Sequence, residues 1–169
     1  HNCNNDKEIL TNIANNLSKK KGIINRSFNI DKRIKQSFAR KNIRLGICSN
    51  FLFSHSVTRC YLNVIKDIAK SGIDIFIFRG TNDKEDHVSK QIDSFAKGTF
   101  KLPNSHDESC QLVLNKSIDI LLYLDIGMSM KTYLMSLSRL ALVQVLHCGH
   151  PNTSGSPNMD YFITSKYIQ

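Results

Sequence analysis

Residues 43–57 read IRLGICSNFLFSHSV, an apolar run followed by a polar loop and the start of a helical pattern. Apolar residues occupy both faces of the run 43–49, which is typical of a strand buried inside a parallel sheet. Similar runs recur along the chain with helical stretches between them. They predict five further strands, at 73–78, 99–102, 118–125, 143–147 and 159–164.

Apolar residues at helical spacing fill the intervals between the predicted strands. In the interval 57–70, Tyr61 and Ile65 fall on one face. Ser56 is the predicted N-cap of this helix and Gly72 its stop signal. Other helices are predicted at 86–97, 107–115 and 130–140, and two more, at 6–20 and 29–40, precede the first strand. The order predicts a doubly wound α/β fold with a mostly parallel, Rossmann-like sheet and helices on both faces.

The net charge of +9 is concentrated at the amino end of the chain. Residues 1–44 carry 11 lysines and arginines against 3 acidic residues, whereas residues 45–169 carry 12 against 11. A basic segment attracts phosphate backbones, but this one lacks interleaved aromatic residues and any RNA-binding or zinc signature. We therefore interpret residues 1–41 as a basic helical arm or linker and residues 42–169 as the folded domain, with nucleic acid disfavoured as a partner.

A chain of 169 residues, 41% of them hydrophobic, is long enough for one domain with a sizeable core. It contains neither a run of about 18 apolar residues nor the charge order of a secretory signal, so we expect no membrane span and a cytoplasmic protein. The five cysteines include no C-x-x-C pair, which predicts free thiols.

Candidate functional residues follow the predicted strands, because open α/β sheets bind ligands beyond the carboxyl ends of their strands. The loop after the first strand brings His55 to the start of a helix. The helix dipole there favours a neutral imidazole that accepts a proton or a hydrogen bond. Asp125 ends the fourth predicted strand, and two roles stay open for it: ligand binding or capping of the next loop.

The loop after the fifth predicted strand reads GHPNTSGSP, residues 149–157. Its glycines allow close backbone approach, its first proline holds the preceding residue extended, and its hydroxyls can contact a polar ligand. An ordinary turn-rich crossover would have the same composition. The candidate substrate-binding residues are Gly149, His150, Pro151, Thr153, Ser154 and Asp125.

The sequence lacks the motifs of several enzyme classes, since it has no P-loop, no G-x-G-x-x-G after a strand and no G-x-S-x-G elbow. His147, Cys148 and His150 form a short run of possible metal ligands. Zinc requires about four ligands, however, and no second Cys/His pair at ligand spacing accompanies this run. We therefore expect neither a metal nor a cofactor.

From residue 43 onward the chain resembles the amino-terminal lobe of the catalytic region of O-linked N-acetylglucosamine transferase and SPINDLY-type glycosyltransferases. The resemblance is carried by IRLGICSNFLFSHSV at 43–57, by LYLDIGMSMKTYLMSLSRLALVQV at 122–145 and, most specifically, by GHPNTSGSPNMDYFITS at 149–165. The chain departs from the family at Asn50, where Asp is usual, and at Ser54, where Asn is usual. Its third strand, GTFKLP, lacks a histidine that relatives often have near its start.

The resemblance implies one lobe of a two-lobed GT-B fold, which tetratricopeptide repeats commonly precede. It implies an inverting protein glycosyltransferase that moves N-acetylglucosamine or a related sugar from a UDP donor to a Ser or Thr hydroxyl of an acceptor protein. His55 matches the active-site histidine of the family, and Gly149 and Pro151 match the loop against the donor sugar. Because the second lobe holds the nucleotide in this family, we expect the 169 residues alone to be inactive. The alternative is a non-catalytic doubly wound module that binds a small ligand or a protein.

Overall fold

The computed structural model describes residues 6–19, 28–81, 84–147 and 153–164. Within these ranges, parallel strands form one sheet with the order β3-β2-β1-β4-β5-β6. The strands are β1 Arg44–Ser49, β2 Asp74–Arg79, β3 Gly98–Lys101, β4 Ile120–Tyr123, β5 Val143–His147 and β6 Tyr161–Ile163. The doubly wound, Rossmann-like α/β fold predicted from the sequence is confirmed.

Helices cover both faces of the sheet. They are α1 Asp6–Ser18, α2 Ile30–Phe38, α3 Ser56–Lys70, α4 His87–Phe95, α5 His106–Asn115 and α6 Met130–Ser136. On one face, α3 and α4 pack around Ile47 and Ile77. On the other face, α5 and α6 pack around Phe78 and Tyr123. Burial from both sides explains why β1 and β2 are apolar along most of their length.

Side-chain caps determine where the helices begin. Asp86 caps α4 in a reciprocal capping box with Ser89, and serine hydroxyls cap α5 and α6. The prediction of Ser56 as the cap of α3 is wrong, because His55 occupies the N-cap position. The imidazole Nδ1 takes the place that a hydroxyl oxygen would have.

Two elements are four residues shorter than the sequence predicts. Helix α6 ends at Ser136 instead of residue 140, because the Gln144 side chain binds the backbone that follows. Leu140 N–H donates to Gln144 Oε1 at 2.8 Å, and Gln144 Nε2 donates to Ser138 O at 3.1 Å. Strand β4 covers 120–123 instead of 118–125. The sequence predicts a longer strand because buried residues continue beyond both ends of β4. The other boundaries within the described ranges differ from the prediction by at most two residues, and those of β5 agree with it.

The two helices that precede β1 contact the sheet domain. In α2, Arg33 NH2 donates to Leu114 O at the end of α5 at 3.0 Å. In α1, the backbone of Leu10 approaches Gly155 so closely that a Cβ on the glycine would lie 2.3 Å from the Leu10 carbonyl carbon. Both helices therefore pack on the domain, while the boundary at residues 41 and 42 stays a prediction.

The described cysteines are free thiols, namely Cys48 and Cys110 in the core and Cys60 at the surface. Their state agrees with the expectation from the sequence. In the described part of the chain, no helix has the length and apolar composition needed to cross a membrane.

Candidate functional site

The crossovers change faces between β1 and β4, the neighbouring strands at the centre of the sheet. In doubly wound sheets this point opens a crevice that commonly binds ligands. Residues 50–55 follow β1 and residues 124–129 follow β4, and hydrogen bonds join the two segments. Asn50 N–H donates to Asp125 Oδ2 at 2.9 Å, and Asn50 Nδ2 donates to the Ser129 hydroxyl. We take the crevice between these segments as the candidate site.

His55 lies half-buried at the end of the 50–55 loop, where it begins α3. Its Nδ1 accepts the Val57 N–H at 3.2 Å, and its ring stacks on Phe51 with 4.5 Å between the ring centroids. Because Nδ1 is an acceptor, the neutral ring carries its proton on Nε2. The sequence predicted an imidazole that accepts a proton or hydrogen bond, but the acceptor nitrogen faces the protein's own backbone. Nε2–H is the group that can donate to a ligand.

A buried arginine supports the middle of the 50–55 loop. Arg79 ends β2, and its guanidinium donates to Leu52 O in the loop. It also donates to Ser89 O at 3.0 Å and to Asp93 Oδ1 at 2.7 Å, so it joins the loop to α4. Arg79 was not among the residues predicted from the sequence. A charged residue at the carboxyl end of the apolar run IDIFIFR was the available signal.

Asp86 supports the end of the same loop. Its Oδ2 accepts the Ser54 N–H at 2.7 Å, directly before His55, while its Oδ1 caps α4. The N–H groups of Ser89 and Ser54 lower the pKa of Asp86, so the anchoring carboxylate stays ionised. Two side chains from neighbouring elements thus fix the backbone that presents the His55 ring.

Asp125 is fully buried below the crevice. Burial raises the pKa of its carboxyl group to about 6, although the Asn50 N–H partly offsets that effect. Oδ2 accepts the Asn50 N–H at 2.9 Å, whereas the buried Oδ1 has no hydrogen-bond partner among the described residues. The carboxylate therefore anchors the 50–55 loop through Oδ2. Ligand binding by Asp125 stays a prediction.

Only part of the predicted substrate loop lies within the described residues. Gly149, His150 and Pro151 fall outside them. Ser154 is buried and its hydroxyl accepts the Ser156 N–H at 3.1 Å, whereas Thr153 is exposed. Both line a cavity of about 350 Å³ between α1 and β6. Within the described ranges, no hydrogen bond joins Thr153 or Ser154 to the 50–55 loop.

A second contact brings the end of β5 towards the helix that His55 begins. Tyr61 OH in α3 and His147 Nδ1, at the end of β5, lie 2.6 Å apart, and burial lowers the pKa of His147. The carboxyl end of β5 therefore lies beside α3. From the sequence, His147 was a candidate only as a possible metal ligand. In the described residues, no group of three or more His, Cys, Asp or Glu side chains could hold a metal ion.

Comparison with solved structures identifies the same fold in a glycosyltransferase. An O-GlcNAc transferase mutant from Thermobaculum terrenum is similar to this chain with a TM-score of 0.73 and 19% sequence identity. The similarity covers 96% of this chain and 31% of that chain, so this chain spans about a third of the neighbour's length. No family model matches the sequence, and the search of curated proteins found no match. The comparison shows a shared fold.

Proposed function

We propose that the chain is the amino-terminal lobe of an inverting protein glycosyltransferase with a GT-B fold. The observation that supports this most strongly is His55, which caps a helix beside the central crevice of a sheet shared with an O-GlcNAc transferase. The proposed reaction transfers N-acetylglucosamine, or a related sugar, from a UDP donor to a Ser or Thr hydroxyl of an acceptor protein. As in the SPINDLY-type glycosyltransferases that the sequence resembles, the acceptor would be another protein.

The proposed role of His55 follows from its tautomer. Sugar transfer with inversion passes through a transition state with oxocarbenium character and a departing diphosphate, so it depends on alignment and on stabilised negative charge. In its observed contact, His55 would donate from Nε2–H to an oxygen of the donor or acceptor. General-base catalysis at Nε2 would require the proton on Nδ1, and the cap to Val57 would then be lost.

The other proposed contacts come from the loop after β5. Gly149, His150, Pro151, Thr153 and Ser154 would form the wall beside the donor sugar, chiefly through backbone groups. Asp125 would act indirectly, by holding the 50–55 loop through the Asn50 N–H. The proposal needs no metal and no cofactor, and it assigns the nucleotide diphosphate to a second lobe.

The test is an assay of the full-length protein with UDP-N-acetylglucosamine and an acceptor protein. His55→Asn is the sharpest variant, because asparagine is a good N-cap but lacks the ring Nε2. We expect His55→Asn to keep its stability and to lose about 100-fold or more in kcat. His55→Ala should lose the same activity and, in addition, about 1 kcal/mol of stability with the cap.

The matched control is His87→Ala, since His87 is an exposed histidine at the start of α4 that does not cap it. This variant should retain both activity and stability. A folded His55→Asn protein with full activity would remove His55 from the reaction. A wild-type protein that binds a small ligand but transfers no sugar would favour the non-catalytic binding module.

A further inference from the structure

A basic pocket of about 230 Å³ lies at the opposite edge of the sheet, where the strands begin. Arg44 and Asp74 are the first residues of β1 and β2, and Lys97 directly precedes β3. Because the strands are parallel, this edge is remote from the crevice beside His55. The basic pocket is lined by Arg40, Lys41, Asn42, Arg44, Asp74 and Lys97.

The carboxylate in the basic pocket is already engaged. Asp74 accepts a hydrogen bond from Lys97 Nζ at 2.6 Å and another from Asn42 Nδ2 at 3.1 Å. These two contacts lower the pKa of Asp74, so the carboxylate is ionised and forms an ion pair with Lys97. Four of the six lining residues are cationic, and Asp74 neutralises one of them.

A second carboxylate, Asp119, is buried behind the pocket and is also engaged. It pairs with the Arg40 guanidinium and accepts the backbone N–H of Arg44 at 2.8 Å. Within the described residues, Lys41 and the Arg44 side chain form no ion pair. Arg33 lies behind them and adds further positive charge. Burial lowers the pKa of Arg33, and the charge of Arg40 lowers it further; Asp119 opposes these effects in part, and Arg44 adds a smaller lowering.

Two arginines that line the basic pocket also have a hydrogen-bond donor that the protein does not use. The buried Nε–H groups of Arg40 and Arg44 have no partner among the described residues. Arg44 NH1 donates to Lys116 O at 2.8 Å, so the guanidinium is held in place. The carbonyls at the end of α5 explain why arginines gather here, but neutral acceptors do not remove the excess charge. Guanidinium groups held in place in this way bind oxyanions such as phosphate.

We propose that the basic pocket binds a small phosphate-bearing anion through Arg40, Lys41 and Arg44. A volume of about 230 Å³ suits inorganic phosphate, pyrophosphate or a small organic monophosphate. The site lies apart from the crevice beside His55, and it does not depend on sugar transfer. Failure of either proposal leaves the other in place.

The experiment titrates inorganic phosphate, pyrophosphate and glycerol 3-phosphate into the 169-residue chain at constant ionic strength. Calorimetry measures binding, and thermal unfolding measures stabilisation. Binding should saturate, and it should raise the unfolding temperature. Lys41→Gln, an exposed change, should weaken binding about fivefold, and Arg44→Gln should weaken it about tenfold or more. Lys66→Gln, which removes an exposed lysine on α3, should leave it unchanged.

Several outcomes would overturn the proposal. One is that none of the three anions shows saturable binding. Another is that Lys41→Gln binds the anions as tightly as the wild-type chain. This comparison remains valid even if Arg44→Gln does not fold. Binding of a DNA duplex that pyrophosphate does not displace would assign the charge to a nucleic-acid surface instead. Tighter binding of glycerol 3-phosphate than of inorganic phosphate would support the pocket and identify an organic monophosphate as its ligand.

Discussion

The carboxyl group of Asp125 couples the candidate site to pH. Its pKa is raised by burial from 3.8 to about 6, so the folded protein retains a proton that the unfolded chain has released. Stability from this group is therefore complete below about pH 4 and falls as pH rises towards 6. A difference of this size corresponds to a cost of roughly 3 kcal/mol at neutral pH.

Asp125→Asn tests this linkage at a single residue. Asparagine can still accept the Asn50 N–H, but it carries no charge to bury. We expect the free energy of unfolding of the variant to exceed that of the wild type by up to roughly 3 kcal/mol at pH 7, and the gain to vanish near pH 4. Urea denaturation between pH 4 and pH 7.5 measures both curves.

The control for this variant is Asp86→Asn. The pKa of Asp86 is lowered, so its contribution to stability is present at neutral pH and is lost on acidification, opposite in sign to that of Asp125. Parallel stability curves for the wild type and Asp125→Asn would show that the Asp125 carboxyl group is not buried as described.

At the scale of elements, the docking of α1 depends on one glycine. Gly155 has a φ of +64°, and a Cβ there would lie 2.3 Å from the Leu10 carbonyl carbon in α1. Gly72 also has a positive φ, +83°, but no other atom lies within 4 Å of a Cβ at that position. Both glycines have a left-handed backbone conformation, but only Gly155 lies against a helix.

Alanine at each position separates these effects. Gly72→Ala should cost about 1 kcal/mol, from the left-handed conformation alone. Gly155→Ala should cost more, because it also displaces α1, and trypsin should then cleave faster at Lys7. Urea denaturation and limited proteolysis measure the two effects. Equal losses of stability, with unchanged cleavage at Lys7, would show that α1 does not depend on this close approach.

The alternation of apolar runs and helical patterns was enough to predict the type and order of the elements, since both periodicities are local. Element ends were harder to predict, because long side chains determine several of them. Gln144 ends α6 by binding backbone groups that a helix would otherwise use, and His55 caps α3 where a serine was expected. Neither of these contacts can be predicted from the spacing of apolar residues.

At the scale of the whole molecule, the predicted strand order indicates which loops lie at the same edge of the sheet. It does not indicate which hydrogen bonds connect those loops. His55 and Asp125 follow neighbouring strands, as strand order in a doubly wound sheet requires. The bonds from Asn50 to Asp125 and from Tyr61 to His147 connect residues 75 and 86 positions apart. Such hydrogen bonds depend on the packing of segments that are distant in the sequence. Candidate residues could therefore be chosen from the sequence, but their hydrogen-bond partners could not.

The last prediction concerns the proposed assignment of the nucleotide diphosphate to a second lobe. The 169 residues cover 31% of the O-GlcNAc transferase chain to which they are similar. If a second lobe binds the diphosphate, these residues alone lack its charge-assisted contacts, and affinity depends strongly on such contacts. The chain by itself should transfer no sugar and should bind UDP-N-acetylglucosamine with a Kd of about 1 mM or weaker. Calorimetry measures this affinity in the wild-type chain and in Lys41→Gln, in which binding to the basic pocket is weakened. Micromolar binding that persists in Lys41→Gln, and that is lost in His55→Asn, would place the nucleotide in this lobe and contradict the assignment.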